Sequence, residues 1–323
     1  MADHSILVTG ATGFLGSSLV RHLASSDAFS VKAPVRHPRV NFPVGVEILP
    51  IEDLDASTNW HAALLGVEFV VHTSARVHVM SETVKDPMVE FRKVNVEGTL
   101  NLARQAAAAG VKRFIFISSI KVNGESTLPG KPFSAHDDPA PKDAYGVSKL
   151  EAETGLYRLA ASTGMEVVII RPVLVYGPSV RANFLTMMQW LFRGVPLPLG
   201  AVHNQRSLVS LENLISLIVA CINHPRAANQ TFLVSDGQDV STQQLLKKLA
   251  SALGKPARLM PVPVWLMHGV ATLLGRRDLS SRLFGSLQVD ISKNQELLGW
   301  TPPVSLDQGL RMTAQHFLKS RNS

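Results

Sequence analysis

A run of glycines at fixed spacing, VTGATGFLG, constrains this chain more than any other stretch. Gly10, Gly13 and Gly16 fall between an apolar strand pattern, SILVTG, and the start of a helical one, FLGSSLVRHLASS. Glycine there lets the backbone turn tightly and come close to a pyrophosphate, which the positive end of the following helix attracts. Glycine turns are common, so the signal lies in their position, after a strand and opening a helix. A dinucleotide site over residues 10–16 is expected.

The stretches that follow keep the same rhythm. VEILPI, VEFVVHTSA, RFIFISS and MEVVIIRP read as buried strands of a parallel sheet, with helical segments between them. Gly110 stands where a helix would stop before the RFIFISS strand. Alternation of this kind predicts an α/β fold: a Rossmann doubly wound parallel sheet with its ligand crevice beyond the strands' carboxyl ends. After Pro178 the proline clusters GVPLPLG and MPVPVW loosen the pattern, and TPPVSLDQGLRMTAQHFLKS reads as a closing helix. The expected division is a Rossmann domain over 1–172 and a smaller α/β substrate lobe over 173–323. Residues 205–236 are candidates to return to the first domain as a helix and a strand.

Several classes of function are disfavoured. The net charge is +7, but the cations are scattered, without a basic run or an aromatic ladder, so no nucleic-acid partner is expected. A positive surplus also suits phosphorylated small molecules. The single cysteine, Cys221, excludes an intrachain disulfide framework, sits at helical apolar spacing, and reads as a buried structural thiol. Asp3 stands where a secretory leader would carry basic residues, and a cytoplasmic location is expected. The apolar stretches fall short of the ~20 residues that span a bilayer, so no membrane insertion is expected. VWLMHGVATLLG, followed by Arg276 and Arg277, is read as a docking helix between the lobes, with a membrane-surface role as the other option.

The second strand, VKAPVRHPR, places Arg36 where an NAD site often carries a carboxylate. An arginine there suits the 2′-phosphate of NADP. His37 and Arg39 either help or form a solvated loop. NADP is therefore favoured over NAD. In IEDLD, Asp53 is a candidate acceptor for the adenine amino group, with Leu54 against the ring, the alternative being an ordinary acidic loop.

Chemistry is expected further on. Tyr145 and Lys149, in AYGVSK, are four residues apart and share one face of a helix. A phenol titrates near 10 unperturbed, and a nearby ammonium favours the phenolate, giving an acid–base group. In ISSIKVNG, Ser118 and Ser119 end a strand, and Lys121 follows.

TGATGFLG, ISSIKVNG, AYGVSK and RPVLVYGP occur in this order and together resemble the extended short-chain dehydrogenase/reductase family of nucleotide-sugar epimerases, dehydratases and reductases. The resemblance spans essentially the whole chain. It implies catalysis by Ser119, Tyr145 and Lys149, with Ser118 as a structural neighbour. For the cofactor it implies contacts from Gly10, Thr12, Gly13, Phe14, Leu15 and Gly16, from Ala75, from Pro172 against the nicotinamide face, and from Tyr145 and Lys149. Asn95 matches an asparagine that steadies the helix behind the site. On the substrate side Asn183 and Phe184 resemble a clamp on diphosphate and nucleobase, Arg206 and Arg282 resemble phosphate contacts, and Lys121 is a further candidate. Leu174 departs from the asparagine of galactose-type epimerases. No metal site is assigned. Relatives imply a homodimer through helices around 88–109 and 145–163.

Where sugar 4,6-dehydratases carry an Asp-Glu pair after the catalytic hydroxyl, this chain has Ile120 and Lys121, so elimination lacks its carboxylates. The resemblance then leaves redox at one sugar carbon, with C4 of a UDP-linked hexose the expected one. Arg36 favours an NADPH-dependent reduction of UDP-4-keto-6-deoxy-N-acetylglucosamine to UDP-N-acetylquinovosamine, in keeping with a resemblance to a bacterial subgroup of surface-polysaccharide (O-antigen) synthesis. The alternative is 4-epimerisation of UDP-glucose or UDP-N-acetylglucosamine. A reductase of a non-nucleotide ketone is a further alternative.

Overall fold

The computed structural model describes residues 4–37, 41–77, 86–128, 130–273 and 284–322. Strands β1 (His4–Thr9), β2 (Phe29–Val35), β3 (Glu47–Pro50), β4 (Phe69–His72), β5 (Arg113–Ile117) and β6 (Glu166–Pro172) build one sheet. A later strand, β9 (Gln230–Val234), completes it in the order β3-β2-β1-β4-β5-β6-β9, every pairing parallel. In register Ile6 lies opposite Phe69, and Pro172 opposite Val234.

Successive residues of a strand point to opposite faces, and here both faces are covered. Ile6, Val8, Ile115, Ile117, Val168 and Ile170 enter one core, whereas Leu7, Phe114, Phe116, Val167 and Ile169 enter the other. That double burial is why the strands read as unbroken apolar runs. The first core is closed by α1 (Phe14–Ala24) and α7 (Leu211–Asn223). In α1 the buried positions are Gly16, Leu19, Val20 and Leu23, one face of a 3.6-residue helix. The second core takes side chains from α2 (His61–Leu64), α4 (Thr99–Ala108) and α5 (Ala144–Thr163). Before α4 the chain runs from α3 (Pro87–Phe91) through a π-helical stretch, Arg92–Gly98. Helix α5 starts at Asp143, whose carboxylate accepts the Gly146 amide at 2.7 Å, and stops at Gly164, with φ of 75°.

A third core belongs to the later chain. It packs α6 (Ala182–Phe192), α8 (Thr242–Ala252) and the last helix, α11 (Leu306–Asn322), around a two-stranded parallel pair, β7 (Leu174–Tyr176) with β8 (Leu208–Ser210). Helices α9 (Val264–Leu273) and α10 (Ser292–Leu298) flank it in sequence. The α9 segment, expected to dock between lobes, instead leaves Trp265 74% and Leu266 45% exposed. Among the described residues no helix is long and apolar enough to cross a membrane.

Candidate active site

The glycine turn is shaped by two close approaches. Gly10 has φ of 68°, and a Cβ on it would lie 2.6 Å from Oγ1 of Thr73, a side chain that donates to the Thr9 carbonyl at 2.7 Å. A Cβ on Gly16 would lie 2.1 Å from the Gly10 carbonyl oxygen, so only glycine lets α1 sit this close to β1. Gly13 donates to Gly10 at 2.8 Å and caps α1 without any side-chain acceptor. The positive end of α1, with Phe14 and Leu15 in its first turn and exposed Thr12 beside it, is thus built from bare backbone. Such a cradle fits the pyrophosphate of a dinucleotide.

The other residues expected at the cofactor lie at or just past the carboxyl ends of strands of the same sheet. Arg36, just past β2, lies 3.5 Å from Asp53, and both side chains are exposed. Leu54 packs at Gly98, where a Cβ would come within 2.9 Å of the Leu54 carbonyl oxygen. Ala75 is half-buried in the loop after β4. Pro172 is buried at the carboxyl end of β6.

Beyond the same sheet edge stand the chemical groups. Ser119 is the residue from which a short 3₁₀ turn, Ile120–Val122, springs, and its hydroxyl accepts the Lys121 amide at 3.3 Å. The first turn of α5 packs on this segment, since a Cβ on Gly146 would lie 2.9 Å from the Lys121 carbonyl oxygen. Tyr145 therefore starts its helix beside the Ser119 turn, edge-on to Phe91 at 6.0 Å between ring centroids. One turn on, buried Lys149 donates to the Ile117 carbonyl at 2.8 Å and lies 4.2 Å over the Phe116 ring.

The electrostatics differ from the simple expectation that Lys149 pulls the phenol down. Burial, with the Asp143 carboxylate adding to it, pushes Tyr145 above the usual phenol range. Burial likewise pulls Lys149 down to about 7, against the opposing charge of Glu153. Burial thus disfavours the charged form of both groups, the phenolate of Tyr145 and the ammonium of Lys149.

Several buried polar residues support these groups; Asn95 and Ser118 were expected from the resemblance, whereas Glu153, Arg171, Asn123 and His72 were not. Asn95, in the π-helical stretch, accepts the Arg76 amide at 2.8 Å and donates to the Arg76 carbonyl at 3.1 Å and to Ser148 at 3.0 Å. Ser148 in turn donates to the Tyr145 carbonyl at 2.8 Å. Ser118 donates to Glu153, which pairs with Arg171 at 2.5 and 3.0 Å, and Arg171 donates to Asn123 at 2.9 Å. All four of these side chains are buried. The available signal was two opposite charges set among apolar neighbours, one of them a turn after Lys149. His72, at the end of β4, is buried between Thr9 at 2.7 Å and Thr99 at 3.0 Å and is pulled down to about 3 by burial. Cys221 is buried and pushed up to about 12, as suits a structural thiol.

The substrate-side expectations fare unevenly. Phe184 is 3% exposed and stacked on Tyr176 at 5.5 Å, so its ring packs the third core. Asn183, its neighbour, is exposed. Arg206 is half-buried and donates to the Gly285 carbonyl at 3.1 Å. Lys121 is held by Asp143 and by Glu125 at 3.7 Å, so its ammonium is already engaged in fixing the start of α5. Arg282 lies outside the described residues.

Comparison with known proteins agrees with this geometry. The model of the "NAD dependent epimerase/dehydratase family" matches residues 6–235. The chain is 52% identical to a UDP-glucose 4-epimerase of Vibrio cholerae over 319 residues, covering 98% of this chain and 97% of that one. The crystal structure of UDP-glucuronic acid 4-epimerase from Bacillus cereus in complex with NAD superposes with a TM-score of 0.79 at 23% identity, covering 98% of this chain and 96% of that one. MoeE5 in complex with UDP-glucose and NAD gives 0.78 at 25% identity, covering 98% and 99%. With its seven-stranded parallel sheet, glycine cradle and Ser119–Tyr145–Lys149 array, the chain belongs to the NAD-dependent epimerase/dehydratase family of extended short-chain dehydrogenase/reductase enzymes.

Proposed function

We propose that the enzyme is a UDP-hexose 4-epimerase. The observation that carries this reading is the 52% identity to a UDP-glucose 4-epimerase, and the packing of the start of α5, which bears Tyr145 and Lys149, on the segment that bears Ser119 supports it. A bound nicotinamide would supply the hydride acceptor and donor, and in its oxidised form would supply positive charge that favours the phenolate of Tyr145. Tyr145 takes the proton of the sugar C4 hydroxyl as the C–H bond breaks, and returns it when the ketone is reduced on its other face. Ser119 donates to the same oxygen. Lys149 holds the ribose and, when charged, steadies the phenolate. The cofactor is held by the cradle at Gly10, Gly13 and Gly16.

Arg36 favours a second reading, an NADPH-dependent reduction of a UDP-4-keto-6-deoxy sugar, because its exposed guanidinium stands at the end of β2. The bacterial relative weighs toward epimerisation over that reduction. One experiment separates them. The purified protein is denatured, its released nucleotide identified, and UDP-glucose and UDP-N-acetylglucosamine are supplied without cofactor. Retained NAD and interconversion of either sugar support the epimerase. An empty site with stoichiometric NADPH consumption on a 4-keto sugar overturns it in favour of the reductase. Tyr145→Phe that keeps full turnover defeats both.

A further inference from the structure

Two of the four tryptophans, Trp60 and Trp300, are buried, and the other two are both on the surface of the later chain. Trp190 is 45% exposed on α6 and Trp265 is 74% exposed on α9. Exposed Val195, Met260 and Leu266 belong to the same set of segments. The Val195 amide donates to the Trp190 carbonyl at 3.0 Å. Leu197 then pairs with the next segment, donating to Arg258 at 2.9 Å and accepting from Met260 at 2.8 Å. From Met260 the chain passes through Pro261–Pro263 directly into α9. The apolar side chains therefore sit on segments joined by backbone hydrogen bonds, not scattered singly over the molecule.

The stretches of chain that carry these side chains hold charge of one sign. Residues 167–211 and 240–277 contain no aspartate or glutamate. Lys255 lies 5.0 Å over the Phe192 ring and Arg321 4.6 Å from it, while Arg258 is 3.8 Å from where a Gly194 Cβ would stand. Arg193 is exposed next to them. Among the described residues none of these four cations pairs with a carboxylate.

We infer that this surface docks on an anionic phospholipid bilayer, with Trp190, Trp265 and Leu266 entering the headgroup boundary and Arg193, Lys255, Arg258 and Arg321 meeting the lipid phosphates. The described part of α9 is 10 residues, about 15 Å or half the hydrocarbon thickness, and its exposed apolar side chains suit a place in the interface plane. Indole rings settle at that depth because one edge is polar and the body apolar, and the cations are drawn to the negative leaflet. The inference does not depend on which sugar the site turns over.

The test is sedimentation of the full-length protein with vesicles of phosphatidylcholine alone or mixed with phosphatidylglycerol, reading tryptophan emission in parallel. The expected result is binding to the anionic vesicles only, a blue shift of emission, and release at high salt. The double substitution Trp265→Ser/Leu266→Ser is expected to lower partitioning at least ~10-fold, with melting temperature and turnover of soluble substrate unchanged. Lys255→Glu/Arg258→Glu is expected to abolish the preference for anionic lipid. Absence of binding to either vesicle overturns the inference. So does unchanged binding in the double serine variant, or a variant that alters only the oligomeric state, which would make this face an interface between copies of the chain.

Discussion

Asn95 donates to Ser148 at 3.0 Å, and through that one contact the loop after β4 is tied to the turn that bears Tyr145. Asn95 makes its other two hydrogen bonds to the Arg76 backbone, so the side chain is a rivet between the cofactor side and the chemical side. Its place in a π-helical stretch fits, since wider turns of this kind recur where a side chain must be aimed at a site. Asn95→Ala removes three buried hydrogen bonds and is expected to cost about 2–4 kcal/mol in urea unfolding, with a fall in kcat larger than any change in KM.

Lys149 makes stability depend on pH in the neutral-to-alkaline range. Folded, it titrates near 7, and unfolded near 10.5. Between those values the unfolded chain binds the extra proton, so this group makes stability rise with pH, by at most about 1.4 kcal/mol per unit. Below about 7 both states are protonated and the cost of burying the ammonium is felt in full. Urea unfolding at pH 7 and pH 9 is expected to show the rise in the wild type and its loss in Lys149→Met. Parallel behaviour of the two proteins would refute it.

Glu153 and Arg171 are expected to be strongly coupled. Both are nearly solvent-free, and each holds a second buried group, Ser118 and Asn123 respectively. Removing either partner leaves a charge without compensation, at a cost of about 3–5 kcal/mol. The double variant Glu153→Met/Arg171→Met should cost clearly less than the sum of the singles, which a double-mutant cycle in urea measures directly.

Arg36 is the residue to change for cofactor choice. Arg36→Ala is expected to weaken NADPH relative to NADH by roughly tenfold if the guanidinium meets a 2′-phosphate. Equal effects on both nucleotides, read by titration of nicotinamide fluorescence, would free Arg36 from that role.

These residues also show what kind of information a sequence exposes. The glycine turn and the Tyr145–Lys149 pair were legible because each depends on a local spacing that one helix or one turn satisfies by itself. The parallel sheet was legible because both of its faces are apolar. Glu153 and Arg171 were not, because their pairing joins a helix to a strand and has no period. The burial of the Phe184 ring was not legible for a related reason: RANFL marks the start of α6, but only the third core decides where that ring packs. Lys121 was left open because its partner, Asp143, is the cap of a helix 22 residues on. The exposed face of α9 was hidden by its own composition, since an apolar helix reads as a buried one.

The last strand of the sheet has a consequence for how the protein comes into being. β9 pairs with β6, yet 57 residues of chain lie between Pro172 and Gln230. Until those residues are made, β6 is an open edge of unpaired amides and carbonyls, ready to pair with another chain. The sheet is therefore a high-contact-order structure that closes late in synthesis, after the segment bearing α6 and α7 has emerged. A ribosome-bound or truncated chain ending near Pro172 should aggregate where the full chain stays monodisperse.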